Sequence, residues 1–338
     1  MADLVAVTGA NGFLGSHICE ALLAAGHGVR AAHRDTSSLR WLRNLDLETV
    51  ETDLADPDSL DRLLDGCTGV IHCAGVVMAT EDEYQRVNVD TTRLLAEAAA
   101  VNGAVDSMVL ISSLAAGGPA GLRKPRHEAM PDEPISGYGR SKKSAEAVLF
   151  DREWPFRTVA LRPPSLYGPR DREFGPLLRA AKRGWTARFG KLMQGLSMVH
   201  GVDAARAAVA LLDTATTTGA YYVDDGTLAG EPSNIGRHHP WGYDWDELSD
   251  VLVTLFDRSV RTLSVPLGLL RLVSKLAPSS VRRSSPVLNP DRINDLDTKG
   301  WVCQATRLQT DTDWRPQYDL ASGLRDTLDF YRRRGWMH

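Results

Sequence analysis

Cysteine is scarce in this chain of 338 residues: Cys19, Cys67, Cys73 and Cys303 are the only four, and none shows a paired spacing. Their scarcity excludes a disulfide framework and points to a reduced, cytoplasmic setting. Cys67, His72 and Cys73 come nearest to a metal-ligand set, but His72 and Cys73 are neighbours at the end of an apolar strand and point to opposite faces. No metal is expected. Long hydrophobic runs are also missing, and nothing approaches the roughly 18 to 20 apolar residues of a bilayer-spanning helix. No integral membrane span is therefore expected. The longest candidate, VPLGLLRLVSKLA from Val265, is interrupted by Arg271 and Lys275 on one helical face. It reads as packing on the core, with a membrane surface or the roof of an apolar pocket as alternatives. Net charge is only -4, which gives no electrostatic drive toward nucleic acid; the run Arg332, Arg333, Arg334 reads as a solvated helix face. There is no internal repeat or low-complexity segment. DLVAVTG begins at the third residue and already reads as a buried strand, so no signal peptide is expected ahead of it.

What is present is an ordinary globular composition, 43% hydrophobic and 24% charged, long enough for two lobes. Up to about residue 165 the chain alternates short apolar runs with helical patterns. LVAVTGA leads to a helix at about Gly12 to Ala25, GVRAAHR to a second helix, VETDLAD to PDSLDRLLDG, and GVIHCAG to a helix ending at Ala100. DSMVLISS and the stretch after Tyr138 follow, then RTVALRPP. Strand then helix, six times over, predicts a doubly wound α/β domain with a parallel Rossmann sheet covered on both faces. After Pro163 the regularity breaks at PPSLYGPRD and GTLAGEPSNIGRHHPWG. MVHGVDAARAAVALLD and GAYYVDD between them read as one more helix and strand of the sheet. The expected division is a dinucleotide domain of residues 1–163 and 197–226, and a smaller α+β substrate lobe of residues 164–196 and 227–338.

VTGANGFLGSH sets Gly9, Gly12 and Gly15 at the turn from the first strand into the first helix. Glycines there let the backbone approach a pyrophosphate whose charge sits at the helix N-terminus. The second strand ends at His33 and Arg34, where an NAD enzyme normally carries an acid for the ribose hydroxyls. A guanidinium there pairs instead with a 2′-phosphate, which favours NADP (as NADPH); Asp35 leaves NAD possible. Asp53 and Leu54, closing the third strand, are placed to meet the adenine.

SGYGRSKKSAEAV places Tyr138 four residues before Lys142 at the start of a helix, with Ser113 at the end of the preceding strand. The spacing alone recurs by accident in other chains; the serine makes it a chemical grouping. Reduction of a carbonyl by hydride leaves an alkoxide that needs a proton, and a phenol with an ordinary pKa near 10 releases one poorly at neutral pH unless a cation lowers it. Lys142 is the expected cation and is also placed to bond the nicotinamide ribose. Ser113 is expected to orient the carbonyl, and Tyr138 to donate the proton.

At this point the chain resembles an extended short-chain dehydrogenase/reductase. The resemblance rests on TGANGFLG, DL at Asp53, HCAG at His72, VNVDTTRLLAEAA, ISS, YGRSK and LRPPSLYGPRD, continues to GWVCQATRLQTDTDWRP and LDFYRRRGW, and so covers nearly the whole chain. It implies catalytic Ser113, Tyr138 and Lys142, with Asn88 supporting the active-site helix. It also implies that Asn11, Phe13 and Leu14 of the glycine loop, Cys73, Ala74 and Gly75 after the fourth strand, and Pro163, Pro164, Ser165 and Leu166 contact the cofactor, the last four near the nicotinamide. Within the family, LRPP and the arginine after the second strand are similar to the 3β-hydroxysteroid dehydrogenase and dihydroflavonol reductase branch. Nucleotide-sugar epimerases usually carry asparagine where Ser165 stands and tyrosine where Gly117 stands. Gly201 and Val202 depart from the branch's own pattern, and no role is assigned to them. A homodimer joined by the helices at Thr91 to Val101 and Ser141 to Arg152 is implied.

Three functions follow. The first is an NADP-dependent oxidoreductase interconverting a ketone and a secondary alcohol on a largely apolar small molecule, steroid-, flavonoid- or keto-acid-like. The second is a nucleotide-sugar epimerase or dehydratase with tightly held NAD, and the third a non-catalytic cofactor-sensing protein.

Overall fold

Val5 to Thr8 are buried without polar alternation in β1 (Leu4–Thr8), as a strand covered on both faces demands. The structure is a computed structural model describing residues 3–35, 38–190, 194–226, 241–278, 281, 282, 285 and 287–337. After β1 come α1 (Phe13–Ala24), β2 (Gly28–His33), β3 (Glu48–Glu51), α2 (Pro57–Leu64), β4 (Gly69–His72), α3 (Glu81–Tyr84), a π-helical turn (Gln85–Asp90), α4 (Thr91–Asn102), β5 (Ser107–Ile111), α5 (Leu114–Gly117), α6 (Gly137–Phe150) and β6 (Arg157–Arg162). The chain continues through β7 (Ser165–Tyr167), α7 (Gly175–Lys182), β8 (Trp185–Phe189), β9 (Met198–His200), α8 (Gly201–Asp213) and β10 (Gly219–Tyr222). It ends with α9 (Trp245–Phe256), β11 (Arg261–Val265), α10 (Leu267–Leu276), α11 (Pro290–Leu296), α12 (Thr306–Asp311) and α13 (Leu320–Arg333).

Seven parallel strands form the main sheet in the order β10-β6-β5-β4-β1-β2-β3. The order reverses between β1 and β4, so a crevice opens beyond their carboxyl ends, at Thr8 and His72. Leu14, Ile18 and Leu22 of α1 pack with Ala204, Ala208 and Leu211 of α8 on one face. Leu60 and Leu63 of α2, Leu95 and Ala99 of α4, and Ala145 and Leu149 of α6 cover the other. This is the doubly wound Rossmann architecture. A smaller core gathers Tyr167, Leu178, Tyr243, Leu248, Leu252, Leu324 and Leu328, beside two two-stranded parallel sheets, β7–β9 and β8–β11.

Two expectations need correction. No helix follows β2: residues 40–46 run through turns. Leu39, Leu42 and Leu45 still bury apolar surface on the α1 side of the core, but so short a segment cannot repay helix nucleation and is fixed by that packing instead. The second correction concerns α10. Of its residues only Leu270 and Ser274 are buried, while Leu269, Leu272, Val273 and Leu276 are exposed, so the segment does not pack on the core as a whole. Arg332, Arg333 and Arg334 are exposed as expected, Arg334 lying also 5.1 Å over the Trp41 ring. Most of the loop GTLAGEPSNIGRHHPWG lies outside the described residues.

Candidate active site

Gly9 adopts φ +66°, a conformation L side chains rarely take, and a Cβ there would stand 2.8 Å from the Ala74 amide nitrogen. Gly15 is more constrained, since its Cβ would lie 2.1 Å from the Gly9 carbonyl oxygen. The helix can therefore start directly against the end of β1. Gly12 caps α1 with no side-chain hydrogen bond, and the first turn carries no acid. The Gly12 amide donates to the Gly9 carbonyl at 3.0 Å, and the amides of Phe13 and Leu14 in the first turn present a positive helix end suited to a pyrophosphate. Leu14 itself is core, so only its backbone is available. Phe13 packs edge-on against His17, with ring centroids 5.6 Å apart. A Cβ at Gly201 would meet the Phe13 ring at 2.8 Å, which gives the unassigned glycine its reason: α8 approaches the loop only because residue 201 has no side chain. Asn11 is half-buried in the same turn.

At the end of β2, His33 Nδ1 donates to the Arg34 carbonyl at 3.0 Å, and Arg34 is exposed at the carboxyl edge. Asp53 accepts from the Ala55 amide at 2.9 Å, a local turn that orients its carboxylate beside the crevice. Leu54 is half-buried against the core beneath α2. After β4, the Cys73 amide donates to the Thr8 carbonyl at 3.3 Å and the Ala74 amide to Thr8 Oγ1 at 3.2 Å. Thr8 Oγ1 also lies 2.6 Å from His72 Nδ1. Burial, with the Lys142 ammonium adding to it, lowers the His72 pKa to about 3, so this imidazole is neutral. The residues of the two strand ends fit a dinucleotide: glycine-lined backbone, an uncapped helix start and a half-buried edge.

The reacting groups lie further along the same edge. Ser113 caps α5, accepting from the Ala115 amide at 3.1 Å, and its hydroxyl opposes the rise in the Tyr138 pKa that burial causes. Pro163 is buried, and its carbonyl accepts from the Leu114 amide at 2.9 Å, tying β6 to the serine. Pro164, Ser165 and Leu166 follow half-buried, the last two in β7. Lys142 Nζ donates to the Ile111 carbonyl at 2.8 Å and faces Gly75, where a Cβ would come within 3.2 Å of it. Asn88 sits in the π-helical turn, an irregularity frequent at functional sites. Its Oδ1 accepts from the Val76 amide at 2.8 Å, and its Nδ2 donates to Val76 O at 3.0 Å and to Ser141 Oγ at 2.9 Å. Ser141 Oγ donates in turn to the Tyr138 carbonyl at 2.8 Å. Asn88 thereby clamps the loop after β4 to the first turn of α6.

Burial raises the Tyr138 pKa, while the Ser113 hydroxyl and the Arg292 guanidinium oppose that rise. Burial lowers the Lys142 pKa, against the pull of Cys73 and Glu146. The ammonium donates to the Ile111 carbonyl of β5, and Arg292 of α11 adds a second positive charge that favours the phenolate.

Sequence reasoning missed the layer beneath these groups. Arg162, buried at the end of β6, donates to Glu146 at 2.8 and 2.5 Å, to Asp132 at 2.7 and 2.8 Å and to the Tyr222 hydroxyl at 2.8 Å. Ser112 Oγ donates to Glu146 at 2.5 Å. The signal was available: an arginine ending an apolar strand must find anionic partners when buried, and Glu146 lies one turn beyond Lys142. The network fixes α6 against the sheet. It also explains Gly117, where a Cβ would stand 2.0 Å from the Tyr222 hydroxyl and 3.3 Å from Arg162.

A family model described as the NAD dependent epimerase/dehydratase family matches residues 5–223. The chain belongs to the extended short-chain dehydrogenase/reductases. This extended reductase is an NAD(P)-dependent oxidoreductase. It is 30% identical over 337 residues to a ceramide reductase of Caulobacter vibrioides, covering 99% of this chain and 96% of the relative. It is 28% identical over 346 residues to a UDP-glucose 4-epimerase of Mycolicibacterium smegmatis, covering 97% and 98%. Among solved structures, MoeE5 in complex with UDP-glucose and NAD superposes with a TM-score of 0.75 at 23% identity over 98% of this chain and 99% of that one, a likeness of fold.

Proposed function

We propose that this reductase interconverts a ketone and a secondary alcohol on a largely apolar molecule, with NADPH preferred over NADH. The observation that carries the reading is the convergence of Ser113, at the start of α5, and Tyr138, in the first turn of α6, at the carboxyl edge of the sheet beside the glycine loop, with the serine hydroxyl acting on the phenol. A bound reduced nicotinamide supplies a hydride there. Ser113 and Tyr138 hold the substrate oxygen from one side, and Tyr138 delivers the proton that the resulting alkoxide takes up. Burial keeps Tyr138 protonated until that demand arises, while Arg292 favours the phenolate left behind. Lys142 and Asn88 hold the loop and helix on which the ribose and the phenol are seated. Gly9, Gly12, Gly15, Asn11, Phe13 and Leu14 hold the pyrophosphate, Arg34 with His33 the adenosine phosphate, and Asp53 with Leu54 the adenine. Cys73, Ala74 and Gly75 line the ribose side, and the segment from Pro163 to Leu166 backs the nicotinamide.

Two observations support an apolar ketone. The whole-length relative at 30% identity is named for ceramide, a lipid, and the space at Gly117 is filled by Tyr222 and Arg162. The sugar-nucleotide reading keeps the whole-length likeness to the UDP-glucose 4-epimerase. It requires cofactor that stays bound through turnover, and so predicts NAD released on denaturing the purified protein. The ketone reading predicts an exchangeable cofactor. We place the two lobes at residues 1–163 with 197–226 and 164–196 with 227–338, and a homodimer seam along α4 and α6.

The test is consumption of NADPH and NADH with a panel of long-chain β-keto amides and keto steroids, by the wild type and by Tyr138→Phe. Loss of the phenol is expected to lower kcat by about 10²–10⁴-fold while cofactor affinity changes little. Undiminished turnover by the variant refutes Tyr138 as the acid. Turnover of UDP-sugars with retained NAD refutes the ketone assignment.

A further inference from the structure

We infer that α10 seats the protein on an anionic phospholipid surface. Its residues Leu269, Leu272, Val273 and Leu276 are 52, 55, 42 and 77% exposed. At 100° per residue they fall on one stripe about a third of the circumference wide. Leu270 and Ser274 occupy a different side and face inward, Ser274 Oγ donating to the Leu288 carbonyl at 2.6 Å. Lys275 borders the stripe beside Leu272, and Arg271 lies on the opposite side of the helix; both are exposed. Leu263 of β11 before the helix and Val281 after it are also exposed, at 55 and 45%. Exposed leucines at i, i+3, i+4 and i+7 are what an interfacial helix offers a bilayer, and ten residues are too few to span one.

Charge selects the partner. In a chain of net charge -4, the stretch from Arg258 to Pro290 contains no aspartate or glutamate and six cations: Arg258, Arg261, Arg271, Lys275, Arg282 and Arg283, the last outside the described residues. Of these, Arg271 is paired with Asp297 at 2.5 Å. An apolar stripe bordered by Lys275, in a stretch of chain that carries cations and no carboxylate of its own, matches anionic lipid headgroups. The position suits the proposed chemistry too. Helix α10 is tied at Leu288 and Asp297 to both ends of α11, and Asp291 of α11 stands 3.2 Å from where a Cβ on Gly137 would lie, next to Tyr138. The membrane-facing helix is thus one element removed from the phenol. The docking itself rests on exposed side chains and charge, and stands whichever ketone is reduced.

The experiment is co-sedimentation of the full chain with vesicles of phosphatidylcholine alone and of phosphatidylcholine mixed with phosphatidylglycerol. Binding to the mixed vesicles is expected, at least about tenfold weaker on phosphatidylcholine alone and reduced by high salt. The double variant Leu272→Glu/Leu276→Glu is expected to lose at least about tenfold in binding, with thermal stabilisation by NADPH unchanged, because both side chains are exposed in the fold. Lys275→Gln is expected to lose roughly fivefold. A folded wild type that ignores anionic vesicles overturns the inference, as does a double variant that binds like the wild type. So does light scattering that shows the double variant dissociating an oligomer, since the stripe is then a contact between protein copies.

Discussion

Helices α1 and α10 are both rich in leucine, yet seven of the twelve residues of α1 are buried and only two of the ten in α10. The difference lies in what stands opposite. Helix α1 is closed in by β1, by the leucines after β2, and by α8, which comes close because Gly201 leaves room for Phe13. Helix α10 meets α11 along one narrow edge and nothing described covers the rest. Apolar residues at helical spacing state that a face seeks burial; they do not state what buries it.

The sharpest break of this contrast is Gly15→Ala. A methyl group 2.1 Å from the Gly9 carbonyl must displace backbone, so stability to denaturant is expected to fall by on the order of 3 kcal/mol, with loss of thermal stabilisation by NADPH. A neutral result places the α1 start away from β1.

Next comes Asp295 on α11, whose pKa burial pushes up to about 6, with Arg292 and the Ser136 hydrogen bond opposing the rise and Asp291 adding to it. The folded state holds this proton more tightly than the unfolded chain, whose carboxyl titrates near 3.9. The stabilising difference is therefore present at low pH, is lost as pH rises from about 4 to about 6, and is absent above. Asp295→Asn is expected to be more stable than the wild type at about pH 7.5 by on the order of 2 kcal/mol and nearly equal to it at about pH 4. Urea melts across that range check the sign; parallel curves refute the burial of this carboxyl.

A smaller effect is expected from Arg34→Ala, about a tenfold loss of NADPH affinity with NADH little changed, measured by titration of each cofactor. Equal losses for both cofactors refute a phosphate contact. Smallest of all, Leu272→Gln is expected to alter stability by less than about 0.5 kcal/mol in lipid-free buffer. A loss comparable to that at Gly15 shows that α10 is covered after all and removes the contrast.

The first lobe was legible because its determinants are local. The glycines of the turn after β1, the unbroken apolar runs of β1, β4 and β5, and the serine and tyrosine at an edge and a helix start each declare their surroundings within a few residues. Helix boundaries at α1 and α4 followed within one residue for the same reason, whereas α6 begins four residues earlier than expected, at Gly137. The turns of residues 40–46 were misread as a helix because leucines three apart satisfy a helical pattern and a packed loop equally well. Ser113, Tyr138 and Lys142 were singled out as candidates, but the bond of the lysine to the Ile111 carbonyl was not foreseen, since i and i+4 on a helix fixes a shared face and not the atom an ammonium will reach.

From the sequence alone came the family pattern, the parallel sheet, the glycine turn after β1 and the candidate set Ser113, Tyr138 and Lys142, because each depends on contacts between near neighbours along the chain. Tertiary structure decided where the Lys142 ammonium is bonded, why residues 117 and 201 are glycine, how Arg162 is neutralised, and which face of α10 stays in solvent. Those answers depend on groups brought together from distant segments at separations of a few ångströms, where burial and charge act strongly and sequence distance carries no information about them.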